Sequence, residues 1–283
     1  MRVHHLNCGS LCPAIASRTW GRDARYAGLE PRGMVCHVLL IETEAGLVLV
    51  DTGLGTADVA EPKRRLGRSF AAFAGPVLEE RETALRQIEA LGYTRDDVRH
   101  IVPTHLDLDH VGGLSDFPRA TVHVHGPELD AMRSPKGWGD KNRYRPIQFA
   151  HDPMILRYEA RGERWFGFDA VRALEGLPPE ILAVPLEGHS RGHVAVAVDT
   201  GAGWILHAGD AYFHHDELDP ERPRCPPALR LFQRLVASDD LVRRRNQERL
   251  RLLARDEAAQ LRVYSAHDAY ELSVARARSQ GSA

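Results

Sequence analysis

The sequence predicts a mixed α/β fold with two layers of sheet, and three observations carry that prediction. Short apolar runs rich in β-branched residues recur along the 283-residue chain. Several of these runs sit in adjacent pairs across tight turns. Helical patterns stand between the pairs. Sheet faces and helix stripes must be buried against other layers, so stacked sheet and helix is the stable arrangement.

Residues 35–43 and 46–51 are consecutive strands around a turn at Glu44-Ala45-Gly46. Residues 80–91 place Ala84, Leu85, Ile88 and Leu91 on one helical stripe, which Gly92 closes. Thr94-Arg95-Asp96-Asp97 has the form of a capping box and opens a short turn. Residues 100–103 and 120–125 are further strands. The series continues with 181–186, 194–199 and 203–207, the last two joined through Thr200-Gly201-Ala202. Residues 228–236 and 241–254 have helical patterns, and 261–265 form a final strand. Two stretches, 55–76 and 134–168, are irregular. The second carries Trp138, Tyr144 and Trp165 among Lys136, Lys141, Arg143 and Arg145, cations that either read an anionic substrate group or keep a loop soluble. Long irregular segments in compact domains are functional loops or linkers. The expected organisation is one domain over residues 1–283 with a cap inserted around 134–168.

Composition excludes several classes of function. Basic and acidic residues nearly balance, 37 against 39, for a formal net charge of −2. Neutralising many phosphates needs a basic surface, so no nucleic-acid partner is expected. No run of about 18 apolar residues occurs, so no membrane span is expected either. Cys8, Cys12, Cys36 and Cys225 form no CxxC pair and no disulfide framework. His4, His5 and Asn7 interrupt the N-terminal stretch where a secretory leader needs an apolar core. The expectation is a cytoplasmic protein acting on a small-molecule substrate, with monomer and homodimer both open.

The 15 histidines are numerous for this length, and histidine is the commonest metal ligand. Thr104-His105-Leu106-Asp107-Leu108-Asp109-His110-Val111-Gly112-Gly113 follows a strand and holds four donor side chains, His105, Asp107, Asp109 and His110, within six residues. Imidazoles and carboxylates together suit zinc, iron or manganese. Gly112 and Gly113 let the backbone turn sharply beside them. Gly188-His189-Ser190-Arg191-Gly192-His193 lies at a turn between two strands. Asp210 follows one strand and His267 another. Donors at strand ends can converge on one sheet edge, as a multi-ligand site requires.

In these motifs the chain resembles the metallo-β-lactamase superfamily, whose pattern is HxHxDH, then a GHT-x-GH segment, a lone Asp and a late His. Val50-Asp51-Thr52-Gly53 resembles its first motif. The resemblance implies a four-layer αβ/βα sandwich with two divalent metal ions, zinc foremost, at one sheet edge. It implies His105, Asp107 and His189 around the first ion, Asp109, His110 and His267 around the second, and Asp210 between them. Asp51 would support the His105 loop, and His193 would brace the ligands. Asp107 departs from the pattern, which has His there. A harder oxygen donor inclines that site toward iron or manganese, and its negative charge should make a bound water less acidic.

The resemblance further implies a hydrolase in which a metal-bridging hydroxide attacks an ester-like carbonyl. Asp109 would serve the proton, and Tyr212 would donate to the carbonyl or leaving oxygen. The expected substrate is a lactone of the N-acyl homoserine lactone kind. A thioesterase of the hydroxyacylglutathione hydrolase type is the alternative, although no C-terminal helical substrate domain is legible after His267. A mononuclear iron redox enzyme and a non-catalytic metal sensor on the same fold are further readings. The remaining histidines carry less. His123 and His125 share one face of a strand, solvated or supporting. His214-His215 is open to a substrate contact, and His4-His5 reads as strand surface. The run Arg243-Arg244-Arg245 reads as a solvated helix face.

Overall fold

A strand that is apolar at every position, with no alternation, has both of its faces covered. Met34–Thr43 and Val194–Asp199 come close to this, with only His37, Glu42, Thr43 and Asp199 polar, and in the computed structural model both are interior strands buried along nearly their whole length. The structure describes residues 1–13, 25, 33–159, 162–170 and 174–281. The first sheet has seven strands in the order β4 (Pro76–Val77), β1 (Arg2–Leu11), β2 (Met34–Thr43), β3 (Gly46–Val50), β5 (Val98–Val102), β6 (Thr121–His125) and β7 (Met154–Tyr158). Its pairings are antiparallel from β4 to β3 and parallel from β3 to β7. The second sheet runs β10 (Ile181–Pro185), β11 (Val194–Asp199), β12 (Trp204–His207), β13 (Leu261–Tyr264), with only the last pair parallel. A two-stranded hairpin, β8 (Arg164–Trp165) and β9 (Phe168–Asp169), stands apart from both.

Side-chain direction alternates along each strand, and the apolar clusters follow that alternation. From β2, Leu39 and Ile41 meet Ile181, Ala183, Val196 and Val198 of the second sheet. Val38 and Leu40 point the other way, into a cluster with Leu85 and Ile88 of the helix Ala84–Ala90. From the second sheet, Leu182, Ala195 and Ala197 face outward onto Leu250 and Leu253 of the helix Asp240–Asp256. Helix, sheet, sheet and helix therefore stack in four layers, as the resemblance implies.

The irregular stretches are more ordered than their patterns suggest. Residues 55–76 form three short helices, Thr56–Ala60, Pro62–Arg65 and Gly67–Ala74. They are held by a buried ion pair, Arg65 Nε to Asp58 Oδ1 at 2.6 Å, which no apolar periodicity announces. The stretch 134–168 contains a helix, Gly137–Arg143, and also edge strand β7. The helical stripe at 80–91 is broken at Thr83, whose extended backbone caps Ala84–Ala90 and leaves Glu80–Glu82 as a separate 3-10 turn. His5 is not strand surface: it is buried, with Nδ1 2.8 Å from His37 Nε2. No helix of the described residues is long and apolar enough to cross a membrane, and no disulfide joins the four cysteines among the described residues.

The C-terminal ends of β3, β5, β12 and β13 and the N-terminal end of β11 come together at one end of the sandwich. Asp51, His105, Asp210 and His267 lie just beyond the first four ends, and His189 lies in the turn that leads into β11.

Candidate metal centre

After β5 the chain turns through Pro103-Thr104 and enters a single helical turn, Leu108–Val111, with Asp107 at its N-cap position. Four residues of helix turn Asp109 and His110 inward while Leu108 and Val111 pack in apolar clusters. Gly112 must be glycine, because a Cβ there would fall on the Asp58 carboxylate and the Gly53 carbonyl. Gly209 is constrained likewise: it has φ +52°, and a Cβ would lie 2.5 Å from His193 Nε2.

The structure brings the seven expected ligand side chains to one place. Asp210 divides them. Its Oδ2 lies 3.3 Å from His189 Nε2 and 3.8 Å from His105 Nε2. Asp107 Oδ2 completes that side, 3.2 Å from His189 Nε2 and 3.4 Å from His105 Nε2. Asp210 Oδ1 faces the other side, 3.1 Å from His267 Nε2 and 3.3 Å from His110 Nε2. Asp109 Oδ2 lies 3.5 Å from His267 Nε2.

These atoms fit cations. His105 Nε2 and Asp210 Oδ1 are buried and make no hydrogen bond among the described residues. An unmade hydrogen bond at a buried polar atom costs about 1–3 kcal/mol, which a bound cation would repay. His110 Nε2 and His267 Nε2 face each other at 3.4 Å. Both rings are turned that way by their other nitrogens: His110 Nδ1 donates to Asp51 Oδ2 at 2.8 Å, and His267 Nδ1 donates to the Val35 carbonyl at 2.7 Å. Such outer hydrogen bonds fix the tautomer and leave Nε2 as the donor to a metal. Imidazole nitrogens with carboxylate oxygens are a donor set for zinc, iron or manganese.

Electrostatics follow from the same crowding. Burial pushes the Asp210 carboxyl up, but His267, His110 and His189 outweigh it and hold the group well below the usual carboxylate range. Burial would lower His110, yet Asp210 and Asp51 reverse the balance and raise it well above an ordinary imidazole. The Asp107 carboxyl is likewise raised by burial and lowered further by Arg143 and His105, ending well below its ordinary value.

Supporting residues stand where the motifs place them. Asp51, with left-handed backbone at φ 61°, accepts from the Thr104 backbone N–H at 2.7 Å as well as from His110. His193 donates from Nδ1 to the Leu186 carbonyl and accepts the Asp210 backbone N–H on Nε2 at 2.9 Å, so it fixes the loop of the central carboxylate.

A family model of the metallo-beta-lactamase superfamily matches residues 31–263. The chain belongs to that superfamily. It is 41% identical over 268 residues to a probable metallo-hydrolase of Mycobacterium tuberculosis, covering 95% of this chain and 80% of that protein. It is 32% identical to an N-acyl homoserine lactonase of Azorhizobium caulinodans, covering 95% of this chain and 93% of that one. Among solved structures, a Bacillus thuringiensis AiiA mutant with N-decanoyl-L-homoserine bound at its active site superposes with a TM-score of 0.66. That match has 20% identity and covers 94% of this chain and 93% of the other. The fold is therefore the superfamily's, and the chain resembles its lactonase branch.

Against that superfamily pattern, Tyr212 does not stand as the donor expected of it. Its side chain is fully buried, and its hydroxyl lies 2.9 Å from both carboxylate oxygens of Glu271, so the proton is already engaged away from the seven ligands. His123 and His125 are buried, not solvated. His123 pairs with His100, and His125 Nδ1 donates to the Gly192 carbonyl in the His189 loop. His214 and His215 stack on each other, with His215 Nδ1 2.8 Å from Asp268 Oδ2. Arg243 is buried against Asp240 and Gln233, unlike the solvated face its run suggests.

Sequence reasoning misses Glu128. Its buried carboxylate accepts from the Leu106 N–H (3.0 Å), the Gly192 N–H (2.9 Å), Ser190 Oγ (2.7 Å) and the Tyr144 hydroxyl (3.1 Å). One side chain thus clamps the His105 loop, the His189 loop and the segment after Arg143. Its only sequence signal is an acid in the first turn of a helix, Gly126–Arg133, which is an ordinary place for one.

Proposed function

We propose that this metallo-hydrolase opens lactones, most specifically of the N-acyl homoserine lactone class, in a centre holding two divalent ions. The observation that carries the reading is the division of Asp210, one oxygen to His105 and His189 and the other to His110 and His267. A carboxylate so shared is built to bridge. His105, Asp107 and His189 would hold one ion, Asp109, His110 and His267 the other, with zinc as the expected element. Bound there, divalent ions supply a water that ionises near neutral pH and an electrophile for the scissile carbonyl. The likeness to lactonases in sequence and fold supports the lactone substrate.

The chain's own part is orientation and proton handling. Asp51, Val35 and His193 hold ligand rings and loops from outside, so the donor atoms are aimed before substrate arrives. Asp109 keeps a carboxylate at the centre, where it takes the proton released on attack and returns it to the alcohol oxygen that leaves. With Tyr212 committed to Glu271, that step is assigned to Asp109.

A panel of lactones, thioesters, aryl esters and phosphodiesters, assayed with zinc-, manganese- and iron-loaded protein, tests the reading. Lactones should turn over fastest, and Asp210→Asn and His110→Ala should each lower kcat/KM by about a hundredfold or more. Preference for thioesters would move the assignment to the thioesterase class, and unchanged turnover in either variant would remove the site.

A further inference from the structure

The sequence puts a carboxylate at 107 where the superfamily pattern has an imidazole, and the structure shows what stands behind it. Arg143, at the end of the helix Gly137–Arg143, is only 9% exposed and places Nη1 3.1 Å from Asp107 Oδ1. Asp107 thus turns Oδ1 to the guanidinium and Oδ2 to His105 and His189. Neither Arg143 Nη1 nor Asp107 Oδ1 makes a well-aligned hydrogen bond among the described residues, so their relation is one of charge at close range. Nη2 donates to the Val236 carbonyl at 2.5 Å, which fixes the side chain from the far end.

The helix that delivers Arg143 is itself tied to the ligand loops. Asp140 Oδ2 accepts from Arg191 of the His189 loop at 3.1 Å, and Tyr144 reaches Glu128. Arg143 is therefore built into the centre and is not a cap cation free in solvent.

We propose that Asp107 and Arg143 act as one neutral donor unit, the carboxylate supplying the metal-facing oxygen and the guanidinium cancelling its charge. Imidazole is neutral as a ligand, and so is this pair. The site then keeps the net charge of the usual pattern while changing nitrogen for oxygen. The expectation that Asp107 makes the centre more negative is thereby revised, whereas the harder character of the oxygen donor remains. Arg143 is in this role a positioning residue. The inference rests on the metal-centre reading above, but not on any substrate.

Zn(II) binding to the metal-free full-length protein, measured by chelator competition, reads the pair directly. One uncompensated charge a few ångströms from a divalent ion inside a protein shifts its affinity by well over a factor of ten. Asp107→His strands the buried guanidinium beside the ion, and should weaken Zn(II) binding by about tenfold or more. Arg143→Met strands the carboxylate, and should strengthen binding by about tenfold or more. The double variant should return to within about threefold of wild type. A purely structural tie gives a different signature, weakening in both single variants, and that result overturns the proposal. So does a pair of single variants that both bind Zn(II) as wild type does. If Asp107→His does not fold by circular dichroism, Arg143→Met against Arg143→Lys decides, with strengthening expected in the first and no change in the second. Weakening in both again overturns the pairing. A protein inactive on the substrate panel that shows the opposed shifts overturns the hydrolase reading alone, while an active hydrolase without them overturns the pairing alone.

Discussion

At the scale of single residues, the centre is a problem of aiming nitrogen and oxygen lone pairs, and outer partners such as Asp51, Val35 and Arg143 do the aiming. Tyr212 marks the limit of arguing from position in the chain. Two residues after the central Asp210, it is a natural candidate donor, yet β12 ends so that Tyr212 points into the layer beneath and finds Glu271. Tyr212→Phe should accordingly leave kcat/KM within about threefold of wild type while costing about 1–3 kcal/mol of unfolding free energy, because Glu271 loses a buried partner. A large fall in kcat with unchanged stability would restore Tyr212 to the reaction. The ligands themselves are legible in the sequence because four of them fall within six residues at a strand end. Glu128 and Arg143 are not legible, since their partners lie in other segments and a lone Glu or Arg in a helix has an unremarked surface role by default.

Between residues and the whole lie the elements, and here the sandwich explains why ligand loops can be short. Strands β3, β5, β12 and β13 are packed within the apolar layers, so their ends are fixed, and a loop of a few residues carries each ligand from a rigid base. Short runs rich in apolar and β-branched residues mark these four in the sequence, which places each within a residue or two of its observed bounds but sets no bounds for β1 or for the edge strand β7. The helices at 56–74 escape such a reading, because their stability comes from Asp58, Arg65 and Gln148 meeting across the fold. Glu128 is the tie between elements: it joins the turn after β5, the turn before β11 and the segment following Gly137–Arg143. Glu128→Gln sets a donor where N–H and O–H groups need an acceptor. It should cost about 3 kcal/mol of stability and weaken Zn(II) binding about 10–100-fold, since loops on both sides of the ligands are released. Denaturant unfolding and chelator competition on the same preparation check both, and stability lost with Zn(II) affinity intact would confine Glu128 to the fold.

For the molecule as a whole, the histidines outside the centre set a pH dependence. His123 is buried beside His100, and burial, with the charge of His100, lowers it from 6.5 to about 4. Burial lowers His5 to about 4 as well, and His37 goes well below its ordinary value. In the unfolded chain each returns to about 6.5. Between those values the unfolded state binds protons that the folded state refuses, so acidification draws the equilibrium toward unfolding. Stability contributed by His123 or His5 is therefore complete above pH 6.5, falls as pH drops from there toward 4, and changes no further below. Each contributes a slope of about 1.4 kcal/mol per pH unit across that window. His110 and His267 are raised in the metal-free centre and oppose this trend, so the clean measurement is a difference between two proteins in the same chelator-containing buffer. His123→Gln keeps a hydrogen-bonding group toward His100 and cannot titrate. Its unfolding free energy, followed by urea denaturation from about pH 7 to 4, should fall less steeply than wild type by close to one proton's worth. Parallel curves would mean that His123 takes its proton inside the folded sandwich, and that the pairing with His100 at 3.0 Å does not keep it neutral.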